Sequence, residues 1–186
     1  MRLLALAFVG AVLAGCGQTP SPTATQTPTP PVNPSTATIA TGTPTPSALV
    51  PTPSPSPNPE VVRAAAAKAY LSAANLANKA QAANLKKYPT FGTLAKSRAY
   101  YKADEKIVGK FIAAIKAITF PADMAGDVHT LISREAAFQA LDAEGAAAKT
   151  WTQVYSVDAS EKTAGRAATA AANLIRVDLG LPPVKF

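Results

Sequence analysis

The sequence predicts an all-α fold, an up-down-up-down four-helix bundle set behind a disordered Pro/Thr/Ser linker. Three observations lead there. Alanine, the best helix former, fills 33 of the 127 positions after Pro59. Proline, which opens or ends helices, occurs among them only at Pro89, Pro121, Pro182 and Pro183. No stretch alternates apolar and polar residues with period two, and no Asn-Gly or Asp-Gly pair offers a hairpin turn.

The first helix is expected to open at Asn58-Pro59-Glu60, where a capping side chain, a first-turn proline and an acid follow one another. Its apolar seam reads Val62, Ala66, Ala69, Ala73, Leu76, Ala80 and Ala83, in steps of four and three, and it stops before Pro89. The second starts near Thr90 or Thr93 and ends by Phe120-Pro121, with Leu94, Tyr101, Val108, Phe111, Ile115 and Ile118 turned inward. A third is expected from Pro121 to the region of Trp151 or Tyr155, burying Met124, Val128, Leu131, Phe138 and Leu141. The fourth is expected to open at Asp158, with Glu161 three residues on as a capping-box partner. It closes at Gly180, followed by Leu181 and two prolines that forbid continuation. Short loops make neighbouring helices antiparallel, and alanine seams let them approach closely.

The N-terminal third has a different composition. Arg2 precedes an apolar run from Leu3 to Leu13, and the chain's single cysteine closes the segment Leu13-Ala14-Gly15-Cys16. A basic tip, a short apolar stretch and small residues make a secretory signal over residues 1–15, too short to span a bilayer, which takes about 20 residues. From Gly17 to Pro59 come 13 prolines, 16 serines and threonines, and no charged residue. Such a stretch cannot fill a core; residues 16–58 are expected to form a solvated spacer reaching at most on the order of 130 Å. The helical domain is placed at residues 59–186.

The segment ending at Cys16 resembles the lipobox of bacterial lipoproteins, and the region behind it resembles the Thr/Pro stalks of surface lipoproteins. The resemblance implies cleavage between Gly15 and Cys16, acylation of Cys16, and anchorage on the outer face of a bacterial membrane. The helix opening at Phe120-Pro121-Ala122-Asp123 and the ending Arg176-Val177-Asp178-Leu179-Gly180-Leu181-Pro182-Pro183 are similar to recurrent features of alanine-rich lipoprotein domains. No activity comes with that likeness. One acyl chain binds a membrane marginally; each buried CH₂ adds about 0.8 kcal/mol, so two or three chains hold firmly.

The residues offer little chemistry. One cysteine excludes an intramolecular disulfide and any thiolate cluster. Ferritin-like centres need two Glu-x-x-His pairs, whereas this chain has only His129, two residues after Asp127. Asp104 and Glu105 on the second helix, and Glu135, Asp142 and Glu144 on the third, would meet only by accident of packing. No Gly-x-Ser-x-Gly turn and no phosphate-binding glycine loop occur. No catalytic residue, metal ligand or cofactor is therefore assigned. Trp151 and Tyr155, four apart, read as a plug at the end of the bundle, and of Tyr100 and Tyr101 one ring is expected inside and the other at the rim.

One surface feature stands out. Arg98, Lys102, Lys106 and Lys110 recur every four residues on the second helix, with Lys86, Lys87 and Lys96 near its start. The plain reading is a solvated face; the functional one is a stripe for an anionic wall polymer or lipid headgroup. Without interleaved aromatics, nucleic acid is not expected as a partner. The expected function is a membrane-anchored, non-catalytic interaction module that meets an extracytoplasmic protein or anionic polymer. The alternative is a small-ligand carrier with a pocket lined by Tyr70, Tyr101, Phe111, Phe138 and Trp151.

Overall fold

A computed structural model describes residues 58–89 and 92–184. Gly15, Cys16 and the Pro/Thr/Ser spacer lie outside the described residues. Four helices follow in order: α1 (Pro59–Lys87), α2 (Leu94–Lys116), α3 (Ala125–Ala147) and α4 (Trp151–Asp178). A 3₁₀ turn, Ala122–Met124, leads into α3, and no strand forms among the described residues. The all-α architecture is as the sequence predicts.

The starts of α1 and α2 follow their local chemistry. The Asn58 side chain accepts the Glu60 backbone N–H at 2.9 Å, and Pro59 stands where no N–H is needed. Thr93 caps α2 by accepting the Lys96 N–H at 3.2 Å. The end of α4 is a Schellman motif: Leu181 N–H donates to Arg176 C=O at 2.7 Å and Gly180 N–H to Val177 C=O at 2.9 Å. Gly180 supplies the left-handed backbone this requires, at φ +70°.

The boundary between α3 and α4 differs from expectation. α3 stops at Ala147 and α4 starts at Trp151. Thr150 takes the Gln153 N–H at 3.3 Å, while Gln153 Oε1 accepts the N–H groups of Thr150 at 3.1 Å and Lys149 at 2.6 Å. This capping box, not Asp158 with Glu161, begins α4. Asp158 and Glu161 therefore lie inside the helix, and Glu161 is buried.

Contacts across each neighbouring pair fix antiparallel packing. Asn84 of α1 donates to the Tyr100 carbonyl of α2 at 3.1 Å. Gly145 of α3 meets Tyr101 of α2, whereas Gln139, earlier in α3, meets Glu105, later in α2. Gly165 of α4 meets Phe138 of α3. The first and last helices join at one end, where Arg63 donates to the Asp178 carbonyl at 2.7 Å and pairs with Asp123 at 2.6 Å. The core there combines Ala66, Tyr70 and Ala73 with Phe111, Ile115, Leu131, Ala171 and Ile175.

The expected seams of α2 and α3 are buried or half-buried throughout. That of α1 is not: Ala69 and Ala83 are exposed, and Leu76 is 68% exposed. The inward face is set by Tyr70, the largest side chain available to it, together with Ala66, Ala73, Ala74 and Asn84. An alanine-rich helix offers little apolar contrast around its circumference, so one bulky ring decides its rotation. Tyr155 is likewise 64% exposed and stacks on half-buried Trp151 at 5.9 Å, so the pair is no plug. Tyr100 and Tyr101 both go inside, edge to face at 5.5 Å.

Candidate functional site

Six basic residues of α2 are exposed, and four of them form one face: Arg98, Lys102, Lys106 and Lys110. Steps of four keep them on one side of the helix. Arg98 is already committed, since its Nε donates to the Ala146 carbonyl at 3.0 Å and so satisfies the open C-terminal end of α3. Among the described residues no carboxylate pairs with Lys102, Lys106 or Lys110. Lys86, Lys87 and Lys96 are exposed nearby in sequence, with the Lys87 ammonium 5.3 Å from the Tyr88 ring centre. His129 lies exposed on α3.

The five aromatic side chains expected to line a ligand pocket are not assembled around one space. Tyr70 and Phe111 belong to the core at the Arg63 end. Tyr101 and Trp151 pack in a separate cluster with Val154 and Val157, and Phe138 in a third with Val108 and Ile112. These rings belong to three different packing clusters.

The interior also holds charge-bearing groups whose meeting the spacing along each helix leaves to packing. Asp104 of α2, Glu135 and Asp142 of α3 and Glu161 of α4 are all at most 7% exposed. The helix register explains why they meet. Tyr101 faces Gly145, so three residues on and three back, Asp104 faces Asp142. Phe138 faces Gly165, so four residues on and four back, Asp142 faces Glu161. From α1, the Asn84 and Gln81 side-chain amides lie towards Asp104 and favour its charged form. One cross-section of the bundle thus carries three acids and two amides, with Glu135 two turns along α3.

Their surroundings are nearly without donors. Asp104 Oδ1, Glu135 Oε1 and both oxygens of Asp142 accept no hydrogen bond from a nitrogen donor. Desolvation lifts the Asp104 carboxyl to about 6, against the pull of its two amide partners. Burial, and then the Asp104 charge, lift Glu135 to about 7. Asp142 is driven furthest, by burial first and then by the neighbouring Asp104 and Glu161 charges. No lysine or arginine acts on any of the three. A buried acid without a cation stays neutral by keeping its proton.

A visible signal marks these positions. Leu131, Glu135, Phe138, Asp142 and Gly145 are spaced four, three, four and three, which is the helix's own inward stripe. Asp104 falls between Tyr101 and Val108 in the same manner, and Glu161 follows Val154 and Val157. Among the described residues no group of three His, Cys, Asp or Glu side chains converges as a metal site would require. No helix among them is long and apolar enough to cross a membrane. Comparison with known proteins finds no matching family model, curated protein or solved structure.

Proposed function

We propose that this chain is an exported lipoprotein, held on the outer face of a bacterial membrane through Cys16, whose bundle is a non-catalytic interaction module. Support for the address comes from the sequence: one cysteine, placed at the end of a short apolar run and followed by 43 residues without charge. Support for the contact comes from α2, and this is the observation that carries the reading. Lys102, Lys106 and Lys110 present three uncompensated ammonium groups on one rigid face. A fixed row of lysines suits a polyanion rich in phosphate, such as a wall polymer or a headgroup-bearing surface, and recognises charge density more than shape.

The test is retention of the full chain on immobilised anionic wall polymer. Wild type is expected to bind at low salt and to elute steeply as salt rises, because exposed charges are screened within about 10 Å at 0.1 M. Reversal of charge in Lys102→Glu/Lys106→Glu is expected to abolish retention while leaving helix content unchanged. Equal retention of the two proteins would remove the stripe from the proposal. The address is tested separately: Cys16→Ser is expected to move the protein from the membrane fraction to the soluble one.

A further inference from the structure

The surface reading leaves the buried acids without a role. Four ionisable carboxyl groups inside one small bundle are costly if charged, and the bundle places no cation against Asp104, Glu135 or Asp142. Each could have been an apolar residue at no loss to helix formation. The positions of Asp104, Asp142 and Glu161 on three helices, matched across two antiparallel registers, make them one assembly, and the Asp104 charge ties Glu135 to it.

We infer that Asp104, Asp142 and Glu161 form a proton-operated lock, with Glu135 as a further protonated acid two turns along α3: protons hold α2, α3 and α4 together through this stretch of the core, and losing the protons loosens it. The groups that act on Asp104, Glu135 and Asp142 can be named by helix. From α1 come Gln81 and Asn84 against Asp104, and Tyr70 towards Glu135. From α2 come Asp104 itself and the nearby Glu105 charge. From α3 come Glu135 and Asp142, and from α4 Glu161 against Asp142. Arg176 of α4 is directed to Tyr70. Everything that faces Asp104, Glu135 and Asp142 is neutral or negative, so a proton is what makes them compatible with one another. A proton between Asp142 and Glu161 satisfies an oxygen on each side at once.

The direction follows from linkage. In the unfolded chain these acids ionise near pH 4; in the bundle they hold their protons to about 6 for Asp104, about 7 for Glu135, and higher for Asp142. Between those limits the folded state binds more protons than the unfolded one, so stability falls as pH rises. Full stability is present below about pH 4 as far as these groups are concerned, and it is lost through pH 6, 7 and beyond. General electrostatics pushes the other way. The chain carries a net charge of +7 at neutral pH, so raising the pH relieves repulsion and would otherwise stabilise it.

The experiment is the thermal midpoint of the full chain from pH 5 to pH 9, followed by circular dichroism at constant ionic strength. A fall of about 10 °C or more between pH 5 and pH 8 is expected. Asp142→Asn/Glu135→Gln, which replaces the two acids that hold their protons longest by neutral amides, is expected to flatten that slope. A wild-type midpoint that is constant or rises over this range overturns the lock, and so does a variant that keeps the whole slope. Should the variant fail to fold, infrared spectroscopy of the wild type decides. A protonated carboxyl C=O band persisting in the native protein at pH 7 is expected, and its absence overturns the inference. Recovery of the pH 8 midpoint by millimolar magnesium or calcium overturns it too, because the layer would then be a seat for cations.

Discussion

Gly145 of α3 lies flat against the ring of Tyr101 on α2, so close that a β-carbon at residue 145 would stand 2.5 Å from the ring's Cγ. The ring is fully buried and cannot move aside. Gly145→Ala is therefore expected to destabilise the bundle by about 1–3 kcal/mol, although alanine is the better helix former by about 1 kcal/mol. Gly126 is the control, on the same helix with open space around it. Gly126→Ala is expected to be neutral or stabilising by up to about 1 kcal/mol. Urea titration of both variants measures the contrast.

The two ends of α4 should respond unequally to loss of their stops. Thr150→Ala removes half of the capping box and is expected to cost about 1 kcal/mol, with Gln153 still serving the N–H groups of Lys149 and Thr150. Gly180→Ala forces a β-carbon into left-handed backbone at φ +70° and is expected to cost about 1–2 kcal/mol. Melting curves of the two single variants and the double should add, because the sites are a full helix apart.

Glu135→Gln is expected to change stability in a pH-dependent way. The native carboxyl is lifted to about 7 from an ordinary value of 4.5, so wild type loses stability as pH rises between those points. Glutamine has no proton to lose. The variant should be close to wild type at pH 5 and more stable at pH 8, by up to about 3 kcal/mol. Chemical denaturation at the two pH values reads the difference directly; equal effects at both would show that the side chain acts only through packing.

Arg63 makes two contacts of different worth. Its partner Asp123 is 65% exposed, and an exposed ion pair contributes roughly 0–1 kcal/mol. The other contact satisfies the Asp178 carbonyl at the end of α4. Asp123→Asn is therefore expected to be nearly silent and Arg63→Ala to cost about 1 kcal/mol more. High salt should narrow the first effect and leave the second.

Much of this architecture is legible in the amino-acid order alone. Asn58-Pro59, Thr93 and Gly180 mark ends through local chemistry that needs no partner helix, and the helices begin and end there. Two kinds of information are not local. The rotation of α1 depends on which face meets α2, and its alanines are too alike to say; Tyr70 settles it. The α3–α4 boundary offers two competing starts, at Thr150 and at Asp158. An acid on the inward stripe can be mistaken for a cap when the helix that surrounds it is drawn too short. Glu161 is the case in point, and Asp104, Glu135 and Asp142 show the same stripe from the other helices. The exposed face of Arg98, Lys102, Lys106 and Lys110 follows from spacing alone.

The Arg63 clamp also has a mechanical meaning. Any pull delivered through the chain ahead of Asn58 arrives at the first turn of α1, one helical turn from the guanidinium that grips Asp123 and the end of α4. A pull directed along the axis of α1 against a hold on α2 would slide α1 lengthwise past its antiparallel neighbour. Two long rods dragged past each other must break their side-by-side contacts together, not one after another from an end. The bundle would then be loaded in its tougher direction.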